Sequence, residues 1–456
     1  MSDVSSRSFA RLLTAIACGG FALRLVALLA MRDDRVSPDG FYYTIAANLF
    51  ADGHGWPNPL GFALTGEFVP AANHPPAWSF LLAGGSVFGF RSQFEHQVIA
   101  VLVGTATVVA VGLAGRRMAG ARVGLIAASI AALYPNLWIY ERELHAEPLV
   151  FLGAALVLWL AYAVLDRPTT AKIVGLAAGC TILALTRAEQ MLLLVALFVP
   201  LVLLVRGRRG HDRIRWLVIG GVTSVLVLAP WVVYNNSRFE EPVTITTGFG
   251  EALRVGNCQS TYSGTLLGSY DQRCRKNLRP NPDPSVEDGR KRREALTFMR
   301  AHLRRLPVVI AAREGRTWGL FAPMQQSRLD SARGMSPNHA TPRWLIRTGF
   351  VVYWLLLPFA VAGAFVARRR HIPLWPLVAF IMTVAVEVAI TFGETRYRAG
   401  AEIPIVLLAA LGIDAAVRAV RRKERGPEAS EISPDEPSMV DGESYSDSTT
   451  VSSPRT

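Results

Sequence analysis

Ionisable side chains make up only 18% of this chain of 456 residues, and they collect at a few places. Asp33, Asp34, Asp39, Asp52, Glu67 and Glu95 share one polar segment, and Glu141, Glu143, His145 and Glu147 form a second. Arg187 and Glu189 form a third, and Glu394, Arg396, Tyr397, Arg398 and Glu402 a fourth. A carboxylate beside an acceptor hydroxyl can take its proton as general base. Arginines can hold a phosphate leaving group and neutralise the charge it gains. Acids with converging arginines therefore suit transfer of a group from a phosphate to a hydroxyl. No GxxxxGK-Ser/Thr loop and no GxGxxG after a strand is present, so the sequence offers no cradle for a nucleotide phosphate. A phosphate-bearing lipid, with its tail in a bilayer and its head at the surface, fits the pattern better.

What must position these groups is a membrane bundle. The chain is 51% hydrophobic, with a mean hydropathy of +0.29 and a net charge of +13. Its charged fraction falls below the roughly 25% of soluble proteins. The apolar residues come in blocks of about 20, the length that crosses a hydrocarbon core. Ten segments qualify: 9–30, 97–115, 122–140, 148–165, 171–186, 190–206, 215–235, 344–367, 372–392 and 403–418. The first contains Arg24, lacks an A-x-A cleavage site and runs straight into a polar loop, so it reads as a span and not as a signal peptide. A nucleic-acid binder of similar charge would cluster Lys/Arg on one solvated face or arm. Here they punctuate apolar spans, so no nucleic-acid partner is expected.

The apolar stretch 78–90 is too short to cross and opens after His74-Pro75-Pro76. With ten spans and the N-terminus inside, the cytoplasmic gaps hold 20 Lys/Arg and the short outer gaps hold seven. If 78–90 crossed, every later loop would flip and that bias would reverse. It is therefore read as a surface-lying or re-entrant helix at the outer face. Both termini are then cytoplasmic, and all four polar groups lie on the outer side.

The domains expected are a transmembrane core, 1–235, carrying the first outer loop, 31–96; an extracytoplasmic loop, 236–343; C-terminal transmembrane helices, 344–423; and a tail, 424–456. The large loop carries 18 Lys/Arg against 10 Asp/Glu, becomes helical around 286–306, and has an amphipathic stretch at 308–321 suited to a membrane surface. Topology does not require that positive surplus; anionic lipid head groups or an anionic acceptor would meet it. Cys258 and Cys274, 16 positions apart in an oxidising compartment, suggest a disulfide. Cys18 and Cys180 sit inside spans as small core residues. The tail has eight acids, two arginines and no apolar face, so it is expected to be disordered and cytoplasmic.

Ser37-Pro38-Asp39-Gly40-Phe41-Tyr42-Tyr43, followed by Ala46-Ala47-Asn48-Leu49 and Gly53-His54-Gly55-Trp56, resembles the first-loop signature of GT-C glycosyltransferases. The nearest likeness is to the branch with protein O-mannosyltransferases and the lipid A aminoarabinose transferase. His74-Pro75-Pro76-Ala77-Trp78 resembles that branch's basic-residue–Pro–Pro segment, and Glu141 to Glu147-Pro148-Leu149 its acidic turn opening the fourth span. Arg396-Tyr397-Arg398, before Glu402-Ile403-Pro404, resembles its late RYR-type segment. These motifs cover the membrane core, roughly 9–235 and 344–418.

The resemblance implies an all-α bundle of about ten transmembrane helices that moves a sugar from a polyprenyl-phosphate donor to a glycan, lipid or protein acceptor outside the cytoplasmic membrane. It implies Asp39 as the catalytic base and Glu147 as the second acidic position. His74, Arg187, Arg396 and Arg398 would contact the donor phosphate, and Tyr42, Tyr43, Glu143 and Tyr397 the substrates. The basic position before Pro-Pro is Lys in the aminoarabinose enzymes; His74 makes that contact weaker or pH-dependent. No cofactor is required by the motifs, while a divalent metal held by Glu143, His145 and Glu147 stays open.

Each residue also has a plainer role. Asp39 could cap a helix starting near Phe41, Glu147 could open the fourth span, and His74 could order its loop. Arg396 and Arg398 could snorkel to the interface, and Arg24 could pair within the bundle. The alternative activity is a transporter or flippase of a lipid-linked saccharide, but no internal repeat and no matched pair of broken spans supports it.

Overall fold

The computed structural model describes residues 5–31, 37–205, 209–275, 282–331 and 342–424. Over these residues the chain is helical, with no β-sheet and one isolated bridge between Pro57 and Pro70. Residues 1–415 form one compact unit, and the boundary with the second falls inside the last helix, Ala399–Glu424. Asp33 and Asp34, and all of the expected tail beyond Glu424, lie outside the described residues.

Six helices are long and apolar enough to cross a membrane: Ser6–Ala30, Gln93–Ala119, Glu147–Asp166, Gly210–Asn236, Arg343–Arg369 and Thr395–Arg421. A seventh span is broken, Ala121–Leu133 meeting Pro135–Arg142 at 78°. Pro135 explains the break, because it lacks an N–H and drives the preceding residue out of helical conformation. Three further expected spans correspond to shorter apolar helices, Thr170–Thr186, Ala188–Leu204 and Trp375–Ile390. The expected surface helix is Ala77–Val87, whose 11 residues cover about 16 Å, half of the hydrocarbon thickness. The chain is a multi-pass membrane protein.

Side-chain size explains how closely the helices pack. A Cβ on Gly363 would stand 1.9 Å from the Leu408 carbonyl oxygen, and one on Gly412 would stand 2.1 Å from that of Phe359. The Arg343–Arg369 and Ala399–Glu424 helices thus touch backbone to backbone, which small residues permit in a membrane. Gly210–Asn236 does the opposite. It leaves Val218, Val222, Val225 and Leu226 exposed, as a lipid-facing surface requires.

One charge lies deep in the bundle with a partner. Arg24 donates from Nε to Glu141 Oε1 at 2.9 Å and from its other nitrogens to the carbonyls of Gly20, Ala131 and Ala132. Both side chains are almost fully buried. The first helix is thereby tied to the far side of the Pro135 break.

Between Asn236 and Arg343 lie three helices of more than one turn that bear on the site: Phe249–Gly256, Pro284–Ala301 and Leu306–Thr317. Cys258 and Cys274 are bonded to each other. Leu306–Thr317 does not simply lay a wet face outward. Its Arg313 and Arg316 are fully buried, because backbone carbonyls receive their guanidinium groups.

Candidate active site

The site begins with a helix cap. Ser37 Oγ accepts from Gly40 N at 3.0 Å and Pro38 takes the first turn, so Pro38–Ala51 starts without using Asp39. Asp39 is therefore spared from capping, and its carboxylate points away from its own backbone. Ser37 also donates to the Glu143 carbonyl at 3.0 Å and lies 2.8 Å from His145 Nε2, which fixes the first loop against the acidic turn. That turn is sharp. Leu144, between Glu143 and His145, has φ 52°, a left-handed conformation that costs a leucine roughly 1–2 kcal/mol. Its carbonyl accepts Trp78 Nε1 at 3.3 Å, which helps to hold it there.

Residues from six separate stretches of chain meet at this point. Arg396 donates from Nη1 to Asp39 Oδ2 at 2.6 Å and from Nε to Glu147 Oε1 at 2.5 Å. Arg187 donates from Nη1 to the same Glu147 oxygen at 2.8 Å, from Nε to Glu189 at 2.5 Å and from Nη2 to Glu387 at 3.1 Å. His74 Nε2 stands 3.9 Å from Asp39 Oδ1, and His145 Nε2 4.0 Å from Asp39 Oδ2. The Tyr42 and Tyr43 rings pack on His74 with centroids 4.7 and 5.2 Å away, and Arg187 lies 5.0 Å over the Tyr397 ring.

Exposure separates the roles. Glu147 is completely buried, and Arg187 and Arg396 nearly so, whereas the Asp39 side chain is 28% exposed and that of His74 31%. The carboxylate and imidazole that can meet a substrate are thus the two at the surface of the cluster. Burial pushes the Asp39 carboxyl up, but Arg396, His74 and His145 outweigh it and hold it well below the usual carboxylate range. Burial pushes His74 down, and Arg396 and Arg187 add to this against the pull of Asp39, so it is neutral at neutral pH.

Not every expected residue arrives. Arg398 turns the other way, donating to Glu402 at 2.8 Å and to the Thr317 carbonyl at 3.0 Å, with its guanidinium 3.7 Å over the Tyr353 ring. Glu143 pairs with Arg142 at 3.1 Å. Glu143, His145 and Glu147 do not converge as metal ligands, and no group of three or more His, Cys, Asp or Glu able to hold a metal occurs among the described residues. Glu147 instead spends one oxygen on two guanidinium groups. The sequence reading passed over Glu387. Its signal was there, since it is an acid in the middle of the apolar helix Trp375–Ile390, and intramembrane acids are expensive unless they do something.

Comparison with known proteins agrees with this architecture. Residues 73–234 match the family model described as dolichyl-phosphate-mannose-protein mannosyltransferase. No curated protein sequence matches the chain. The apo oligosaccharyltransferase of Archaeoglobus fulgidus superimposes with TM-score 0.52 at 13% identity, over 92% of this chain and 52% of that one. The archaeal oligosaccharyltransferase AglB from Archaeoglobus fulgidus, in complex with an inhibitory peptide and a dolichol-phosphate, gives 0.51 at 14% identity, over 94% of this chain and 52% of that one. The chain thus spans about half the length of these enzymes. ArnT from Cupriavidus metallidurans bound to undecaprenyl phosphate overlaps 95% of this chain and 82% of its own at 14% identity, with a TM-score of 0.42 that is too low to carry weight. One segment thus resembles the mannosyltransferase family, and the bundle as a whole shares the fold of the archaeal oligosaccharyltransferases.

Proposed function

We propose that the protein moves a sugar from a polyprenyl-phosphate carrier to a hydroxyl of an extracytoplasmic glycan, lipid or protein, with Asp39 as the general base. The observation that carries this reading is the Asp39–Arg396 pair, a partly exposed carboxylate kept ionised by a guanidinium that also touches Glu147. A matched segment from a dolichyl-phosphate-mannose family and a dolichol-phosphate bound in an enzyme of the same fold support the donor class. The positive-inside bias supports a site on the outer face, with both termini in the cytoplasm.

In this mechanism the acceptor oxygen attacks the anomeric carbon while Asp39 takes its proton. The bond from that carbon to the phosphate oxygen breaks, and its electron pair leaves on polyprenyl phosphate. Arg396 is the cation for that leaving group. Its Nη1 and Nε are committed to carboxylates, so an arriving phosphate competes with Asp39 for the guanidinium and frees the base as it binds. Arg187 has all three nitrogens on carboxylates and serves to hold Glu147. His74, neutral at rest, can donate one N–H to the phosphate and gain a proton as negative charge builds.

The test is transfer of radiolabelled sugar from a polyprenyl-phosphate donor by purified protein. Asp39→Asn is expected to lose about 10²- to 10⁴-fold in rate with its fold intact. Full activity in that variant would remove Asp39 as base. Saccharide flux across a bilayer, without any transfer by the wild type, would make the protein a transporter.

A further inference from the structure

We infer that Arg313, in the large loop between the seventh and eighth spans, is a positioning residue that fixes the turn carrying Arg396. The inference rests on the transferase reading for its catalytic consequence and on geometry for the clamp itself.

Arg313 is fully buried and has no carboxylate among its hydrogen-bond partners. Nη1 donates to the carbonyls of Ala389 and Ile390 at 2.6 and 3.2 Å. These belong to the last turn of Trp375–Ile390, where helical carbonyls lack partners and a cation is favoured by the helix dipole. Nη2 donates to Gly256 O and Asn257 Oδ1, each at 2.8 Å. One guanidinium thus ties the end of the span bearing Glu387 to the disulfide-bonded segment of the loop. Burial pushes this guanidinium down to about 10, against the pull of Tyr262, so it is still a cation at neutral pH.

The chain that follows Ile390 is gripped by the same loop. Gly393 N donates to Gly268 O at 2.8 Å, and Glu394 N donates to Thr317 Oγ1 at 3.1 Å. Glycines make this contact possible at backbone level. A Cβ on Gly393 would stand 2.2 Å from Arg313 O, and one on Gly256 would stand 2.1 Å from Thr391 O. A Cβ on Gly268, whose φ is 75°, would stand 2.7 Å from the Ala312 carbonyl carbon and from Arg313 N. Arg396 begins only two residues after Glu394, so the position of its guanidinium between Asp39 and Glu147 follows from where this turn is held. A displacement of about 1 Å at such a group can cost about 10²-fold in rate.

The experiment compares wild type with Arg313→Lys and Arg313→Gln by hydrogen exchange and by the pH dependence of transfer. Lysine keeps the charge but cannot span both pairs of acceptors. Exchange at the amides of Gly393 and Glu394 should rise at least tenfold in both variants, while Gln93–Ala119 keeps its protection. Unchanged exchange at those amides overturns the clamp, whether or not the protein transfers sugar. In the pH series, a loosened Arg396 takes from Asp39 the guanidinium that holds its carboxyl low, so the acid limb of kcat/KM should move to higher pH. A loss of rate with the limb unmoved would show that Arg313 supports the fold alone. A wild type that transfers no sugar sinks the enzymatic reading and leaves the exchange result to judge the clamp.

Discussion

Arg396 Nη1 donates to Asp39 Oδ2 at 2.6 Å across 357 positions of chain. The bond joins the first turn of Pro38–Ala51, inside the first loop, to the 3-10 turn Thr395–Arg398. In the transferase proposed above, the state of the base would depend on a cation that the leaving group also needs. This relationship and two others in the fold can be tested.

Arg396→Ala removes the largest favourable interaction of ionised Asp39, so the carboxyl rises from the range in which that guanidinium holds it. The wild-type base stays ionised through the acid range because its value lies lower. In the variant, activity should fall as pH drops through the raised value. At neutral pH the loss is expected to be about 10²- to 10³-fold, from the missing stabilisation of the leaving phosphate. A pH–rate series with both proteins checks the sign; an acid limb that does not rise would exclude Arg396 as the group holding Asp39.

Arg24→Met should destabilise the bundle by about 3–5 kcal/mol, because the buried Glu141 loses its partner. Arg24→Met with Glu141→Gln should regain a part of that loss. Thermal unfolding in detergent reports both. An Arg24→Met protein as stable as wild type would mean that Glu141 has taken up a proton or found water.

Cys258→Ser with Cys274→Ser opens a 16-residue separation in the segment that supplies Gly256 O, Asn257 Oδ1 and Gly268 O to the clamp. The stability cost should be about 3 kcal/mol for a loop of this length. Reductant should slow transfer by the wild type and leave the double variant unaffected. Equal response of the two proteins would place the reductant's action elsewhere.

Much of the molecule was legible in one dimension. The ten apolar blocks have helical counterparts in order, although three are short and one is bent at Pro135. Asp39, Glu147, Arg187 and Arg396 could be listed because polar groups beside apolar blocks stand out against the cost of burying them, and His74 through the likeness of its Pro-Pro segment to a family motif. Pairings were another matter. Arg396 and Arg398 differ by two positions in the same turn, and nothing in their spacing says which one faces Asp39. The 3-10 geometry sends one toward Asp39 and Glu147 and the other toward Glu402 and Tyr353. Likewise 308–321 read as an amphipathic stretch for a membrane surface, because sequence periodicity cannot show the backbone carbonyls that receive Arg313 and Arg316.

The sequence by itself determined that this is a membrane bundle with acids and arginines gathered at span ends. Hydrophobic length and charge placement are local properties that a chain carries before it folds. Only the tertiary structure decided that Arg396 bonds Asp39, that Glu387 accepts from Arg187, and that the stretch from Glu387 to Arg396 meets the loop carrying Gly268, Arg313 and Thr317. Those outcomes depend on distances of a few ångströms between segments far apart in the chain, and helix packing alone fixes such distances.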